Sequence, residues 1–80
     1  MEKQITFNEV KDLEYRHVYL YLYIIDNINK SENKQFRIKI NDNETGLSHF
    51  QIREGLNHLL EKNKINIKTG KHNHKFITLQ

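Results

Sequence analysis

Several hydrogen-bonding side chains lie in the stretch SHFQIREGLN, which runs from Ser48 to Asn57. Gln and Asn amides can bind the donor–acceptor edge of adenine, and Arg binds the two acceptors of guanine. His49, Gln51 and Arg53 therefore begin a set of side chains, completed by Asn57, that suits base reading in a DNA major groove. Ser48 precedes them at a predicted helix start, where free amides and the helix dipole favour a phosphate.

Two residues on the same helix suit this chemistry less well. Glu54 places a negative charge where a phosphate-facing helix would favour Lys or Arg. Phe50 is predicted on the solvent side, where an exposed aromatic residue is typical of a protein contact. In the alternative interpretation, Phe50 wedges between bases or stacks on one of them.

Positive charge is concentrated at the carboxyl end of the chain. Residues 62–80 contain five lysines and no acid, whereas residues 1–61 contain eight Lys plus Arg against ten acids, and the net charge is +3. This imbalance favours an anionic partner, nucleic acid first, although a solubilising tail would show the same pattern. The residues predicted to bind backbone phosphates are Lys68, Lys71, His72 and Lys75.

Other chemistries receive little support from the sequence. His72 and His74 form an H-x-H pair that could bind zinc only with a third ligand; we interpret them as solvated, and expect no metal or other cofactor. His17 lies on a predicted apolar stripe and is interpreted as a buried, hydrogen-bonded residue. There is no cysteine, nucleophile elbow, P-loop or glycine-rich dinucleotide loop, so we do not expect an enzyme.

A chain of 80 residues allows one domain, residues 1–80, with a small core that a partner or dimer could supplement. The amino-terminal residues have no apolar run of signal-peptide type. The longest apolar run, VYLYLYII, has eight residues, and a bilayer-spanning helix needs about 20. A cytoplasmic protein with no membrane partner is therefore expected.

The first predicted helix covers about residues 7–29. Thr6 and Glu9 have capping-box spacing, with Ile5 and Val10 at the positions of a hydrophobic staple. The apolar stripe that requires a core contains Val10, Leu13, Leu20, Ile24 and Ile28.

The opposite face of this helix is also apolar. We expect it to contact another chain, as a homodimer or with a larger protein; the alternative is that its tyrosines lie flat and keep their hydroxyls in water. The residues of this predicted dimer or partner interface are Tyr15, Val18, Tyr19, Leu22 and Tyr23.

The remaining chain predicts strand, helix and hairpin in that order. QFRIKI, residues 35–40, alternates like a half-buried strand. A helix over about residues 49–63 begins at a Ser48–Gln51 capping box. KINI and HKFITL then form a hairpin around Gly70. The core stripe predicted for this later helix is Ile52, Leu56, Leu59 and Leu60.

This order resembles the winged helix-turn-helix family over nearly the whole chain. The stretch TGLSHFQIREGLNHLLEKNKI is similar to the turn and recognition helix of phage replication proteins of the O type and of phage and plasmid regulators. The resemblance implies that Gly46 makes the turn, that Leu47 and Ile52 seat the helix, and that Gly55 packs against a preceding helix. One departure is that only residues 41–45 precede Gly46, so the helix before the turn is a single turn or missing.

The expected fold is therefore α+β, a small winged helix-turn-helix domain containing helix, strand, shortened helix or turn, recognition helix and two-stranded wing. The expected function is binding of double-stranded DNA by a protein of a phage or other mobile element, in transcription regulation or replication initiation. The alternative is a protein-binding winged-helix subunit or inhibitor that docks on a larger replication, transcription or defence protein.

Overall fold

A computed structural model of the chain describes residues 5–38 and 45–80 and has a small α+β fold. Over these residues it contains three helices and a three-stranded antiparallel sheet. The predicted strand residues Lys39 and Ile40, and most of the short segment before Gly46, lie outside the described residues. Within the described ranges, no helix is long and apolar enough to cross a membrane. The elements are α1 (Phe7–Val10), α2 (Tyr15–Lys30), β1 (Phe36–Arg37), α3 (His49–Glu61), β2 (Ile65–Thr69) and β3 (Lys75–Leu79).

The prediction of one continuous helix over residues 7–29 is wrong. The helix is interrupted after Val10, and α2 begins at Tyr15. Thr6 makes no side-chain capping bond, so the predicted Thr6–Glu9 capping box does not form. The interruption lets Leu13 pack against the core and places the Asp12 carboxylate 3.8 Å from Lys64 Nζ. The packing of Leu13 against the core overrides a helical periodicity that the local sequence supports.

The core lies where α2 and α3 meet the inner face of the sheet. Leu20, Ile24, Ile52 and Leu59 are fully buried, as are the strand residues Ile65 and Ile77. Gly55 lies at the contact between the helices: a Cβ atom there would be 2.6 Å from Leu20 Cδ2. The expected close approach of a neighbouring helix at Gly55 is therefore confirmed.

Which side chains of the VYLYLYII run are buried differs from the sequence expectation. The run lies within α2. Tyr21, which no prediction placed in the core, is 2% exposed. Tyr23, predicted at a partner interface, is half-buried and packs edge-on against Phe36, with ring centroids 5.4 Å apart. Docking of β1 on α2 therefore encloses one tyrosine of the predicted interface.

Both ends of α3 follow from local sequence. Ser48 and Gln51 form the predicted capping box. At the other end, Lys64 N donates to Leu59 O and Asn63 N donates to Leu60 O, which is the Schellman pattern. Asn63 supplies the left-handed residue that this pattern needs, with φ 58°. The predicted helix over residues 49–63 is thus confirmed to within two residues at its end.

One predicted core residue of α3 is placed wrongly. Leu60 is 41% exposed, whereas Ile52, Leu56 and Leu59 are buried as expected. Leu60 follows Leu59 directly, so its side chain is turned about 100° around the helix axis and leaves the contact with α2 and the sheet. The core stripe of α3 is consequently narrower than the sequence suggests.

The sheet has the order β1–β3–β2, with both pairs antiparallel. Ile65 pairs with Leu79, Ile67 pairs with Ile77, and Phe36 also pairs with Ile77. Because directly paired residues share a face, these apolar side chains form the inner face of the sheet. The predicted hairpin is confirmed.

Asn63 provides a test of how α3 ends. Asn63→Ala should lower the free energy of unfolding by about 1 kcal/mol, because alanine tolerates the left-handed conformation poorly. Asn63→Gly should leave stability unchanged or raise it. Urea unfolding followed by circular dichroism measures both. Equal stability of the two variants would contradict this role for Asn63.

Candidate nucleic-acid interface

The amino end of α3 is held by a reciprocal pair of hydrogen bonds. Gln51 N donates to Ser48 Oγ over 3.1 Å, and Ser48 N donates to Gln51 Oε1 over 2.9 Å. Reading an adenine edge with two hydrogen bonds would require both the oxygen and the nitrogen of the Gln51 amide. Because Oε1 already accepts from Ser48 N, the cap fixes the orientation of the Gln51 amide, and of the two lone pairs of Oε1 only the second remains for a base while the capping box is intact.

The solvent-facing side of α3 presents the remaining predicted base-reading residues. His49, Arg53 and Asn57 are exposed, at the helix start and along its length. Phe50 is 72% exposed, as the sequence predicts. Glu54 is also exposed, so this face combines one cation, one carboxylate and an uncovered aromatic ring.

His58 does not belong to that exposed face. It is half-buried, and its ring stacks on the ring of His17, with centroids 4.4 Å apart and an angle of 26° between the planes. His17 is buried, as expected, with 6% of its surface exposed. The prediction that His17 also forms a hydrogen bond is not met among the described residues, where its ring contact is the stack on His58.

The outer face of the sheet carries a row of side chains that spans all three strands. Phe76 of β3 pairs with Arg37 of β1 on one side and with Lys68 of β2 on the other. Phe76 does not pack against the apolar core, so its half-buried ring lies between two cationic side chains on the solvent side. We call Arg37, Phe76 and Lys68 the outer row.

Two further residues support the outer row. Arg37 Nη2 lies 3.0 Å from His74 Nε2, which orients the guanidinium beside β3. A Cβ atom on Gly70 would lie 2.7 Å from Phe76 Cε2. The Phe76 ring therefore packs over Gly70 at the end of the hairpin.

The other predicted phosphate-binding residues of the wing occupy different positions. Lys71 and His72 are exposed in the turn between β2 and β3, and His72 has a φ of 59°. Lys75 pairs with Thr69 on the opposite face from Lys68, and its Nζ donates to Thr69 Oγ1 over 2.9 Å. The four predicted wing residues thus do not share one face.

The first two lysines of the basic segment 62–80 lie near an acidic side chain. Asp12 lies 4.0 Å from Lys62 Nζ and 3.8 Å from Lys64 Nζ. The Asp12 and Lys62 side chains are each 45% exposed and that of Lys64 is 18% exposed, and at 3.8–4.0 Å these pairs contribute little stability. Their effect is to place a counter-charge next to the first two lysines, so that the positive charge of this end is concentrated farther along, at Lys68 and Lys71.

The predicted partner interface on α2 is only partly exposed. Tyr15 is 81% exposed, Leu22 50% and Tyr19 48%. Val18 is half-buried. Tyr19 keeps its hydroxyl engaged, because it donates to Thr45 O over 3.0 Å. Together with the packing of Tyr23 on Phe36, this leaves an apolar patch of three residues, Tyr15, Tyr19 and Leu22, which we call the α2 patch.

Comparison with known proteins returned no match from family models, from curated proteins or from solved structures. The function of the chain must therefore be argued from its own residues and their placement.

Sequence reasoning did not find the outer row as a unit. Lys68 was selected for its charge, but Arg37 and Phe76 were seen only as parts of strands. The available signal was strand alternation: Arg37 is the polar residue between two inward side chains, and Phe76 precedes the inward-facing Ile77. The pairing of β1 with β3, which brings the three residues together, cannot be deduced from that alternation alone.

The capping role of Gln51 can be separated from any contact with DNA. Gln51→Ala should lower the free energy of unfolding by about 0.5–1 kcal/mol, because the Ser48 amide loses its acceptor. Gln51→Glu keeps an acceptor at the same position and should stay close to the parent stability. Thermal unfolding of both variants measures this difference, and an unaffected Gln51→Ala variant would contradict the capping role.

Proposed function

We propose that this chain is a small winged-helix protein that binds double-stranded DNA. In this proposal α3 is the recognition helix, and the β2–β3 hairpin is the wing. The observation that carries it is the combination of a capped α3, exposing His49, Arg53 and Asn57, with the basic hairpin that follows it directly.

The distribution of charge supports separate roles for the sheet and turn, which would bind phosphates, and for α3, which would read bases. Arg37 and Lys68 of the outer row, with Lys71 in the turn, supply positive charge for backbone phosphates. Phosphate contacts supply most of the affinity and no sequence information, whereas side chains on a groove-bound helix read bases. Arg53 and Asn57 are the candidates for base reading, because Gln51 is partly committed to the cap.

The resemblance to phage replication proteins and plasmid regulators implies a role in replication initiation or transcription regulation on a mobile element. Both roles need a small module that recognises a DNA site and positions other proteins on it. The chemistry of α3 and the wing would serve either role equally.

DNA binding should depend steeply on salt. Log affinity for a short random-sequence duplex should fall linearly with log salt concentration, with a slope of about −0.9 for each phosphate contacted. Lys71→Ala and Lys68→Ala should each reduce the size of that slope by about one. Fluorescence anisotropy at several salt concentrations gives the slopes.

Lys30→Ala is the matched control for these lysine variants. Lys30 lies at the end of α2, where it pairs with Asp26 at 3.0 Å, and its removal should leave the slope unchanged. Absence of binding at low salt would refute the DNA-binding proposal. An equal loss in Lys30→Ala would show non-specific charge attraction only.

A second candidate function is docking on another protein, and the α2 patch together with Phe50 favours it. Exposed aromatic and aliphatic side chains of this size are typical anchors of protein contacts. On this reading the chain is a homodimer or a subunit or inhibitor of a larger replication, transcription or defence protein. The α2 patch lies on a different helix from the base-reading residues of α3, so one chain could bind DNA through α3 and a protein through α2, whereas Phe50 lies on α3 and belongs to both candidate surfaces.

Self-association through the α2 patch is tested by sedimentation. Leu22→Glu should shift a dimeric parent to monomer, because it places a charge in an apolar contact. Phe7→Glu is the control, since Phe7 is 77% exposed but belongs to α1. A parent protein that remains monomeric at all concentrations would contradict the homodimer.

A further inference from the structure

Three potential metal ligands converge where α2 crosses α3. His17 comes from α2, and Glu54 and His58 come from α3, one helical turn apart. Residues four apart on a helix lie on the same side, so both α3 side chains can reach towards His17. One ligand atom from each of the three residues lies within 4.8 Å of the others.

The contact at Gly55 explains why the buried histidine is part of this cluster. A Cβ atom on Gly55 would be 3.6 Å from His17 Cδ2, so the imidazole packs directly over the α3 backbone between Glu54 and His58. At this distance the ring is in ordinary van der Waals contact with position 55, and a side chain there would clash first with Leu20 Cδ2, at 2.6 Å. His17 is thus a fixed donor, held by packing.

From this geometry we propose that His17, Glu54 and His58 form a site for a divalent transition metal, with Zn²⁺ as the best fit. Two imidazole nitrogens and one carboxylate oxygen are a donor set that zinc accepts, with a fourth position left to water or another ligand. Metal–ligand bonds of about 2.0–2.2 Å place neighbouring donors roughly 3.3 Å apart in a tetrahedral site. Binding of the metal therefore requires the donor atoms, now within 4.8 Å of one another, to move closer together.

The two ligands that must move to bind the metal, Glu54 and His58, are less buried than His17. Glu54 is exposed and His58 is half-buried, whereas His17 is buried. Rotation of the Glu54 and His58 side chains can bring their donor atoms towards the fixed His17 ring without moving either helix. The present stack of the two imidazoles would be exchanged for coordination of both rings to one ion.

No competing cluster of this kind occurs within residues 5–38 and 45–80. His72 and His74 approach each other, with ring centroids 6.0 Å apart, but no third His, Cys, Asp or Glu of the described ranges completes a site with them. The inference uses only the α2–α3 contact, so it stands independently of whether the chain binds DNA.

Zinc titration of the full chain, prepared without a histidine tag, tests the proposal. Competition with a chromogenic chelator should give one Zn²⁺ per chain. Glu54→Gln and His58→Gln should each weaken zinc affinity by about tenfold or more, because each removes a direct ligand. Both positions are at least partly exposed, so these variants should remain folded, which circular dichroism verifies.

His72→Gln and His74→Gln are the matched controls, and they should bind zinc like the parent. Co²⁺ in place of zinc should give the visible absorption of a tetrahedral or five-coordinate site, and this absorption should be lost in His58→Gln. Absence of zinc binding by the parent would overturn the proposal. Affinity that is unchanged in Glu54→Gln and His58→Gln, or lost in the wing controls, would overturn it as well.

Discussion

The close contact between α2 and α3 at Gly55 is the constraint on which the other features depend. With no side chain at Gly55, Leu20 of α2 can lie against the α3 backbone, and the two helices bury a shared apolar core. That contact fixes the rotation of α3 about its axis. It thereby decides which residues of α3 face solvent and where the wing starts, because β2 follows α3 after a three-residue turn.

Features encoded by neighbouring residues could be predicted from the sequence. The Ser48–Gln51 cap and the β2–β3 hairpin arise between residues or strands that are adjacent in the sequence, and both are found in the structure. The interruption after Val10 could not be predicted in this way. It accompanies the packing of Leu13 against the core, and periodicity carries no information about which distant residues Leu13 will meet.

The candidate sites likewise include features that the local sequence predicts and features that depend on contacts between distant residues. The exposed side of α3 was predictable, since burial of Ile52, Leu56 and Leu59 determines the opposite face. The outer row needs the pairing of β1 with β3, and the His17–Glu54–His58 cluster needs the crossing of α2 over α3. In both cases the local sequence indicates single residues at most, such as Lys68 by its charge, and only the fold brings the members of each group together.

The long-range pairing of β1 with β3 has a further consequence for the sheet. β2 and β3 form a hairpin from adjacent segments, whereas the described part of β1 joins β3 through two residue pairs and the hydrogen bond from Ile38 N to Lys75 O, all distant in sequence. Long-range pairings of few residues open at lower free energy than local hairpins, because they bury less and close larger loops. Local unfolding can therefore detach Arg37 while Phe76 and Lys68 stay paired. The amides of β1 should then exchange with solvent before those of the hairpin.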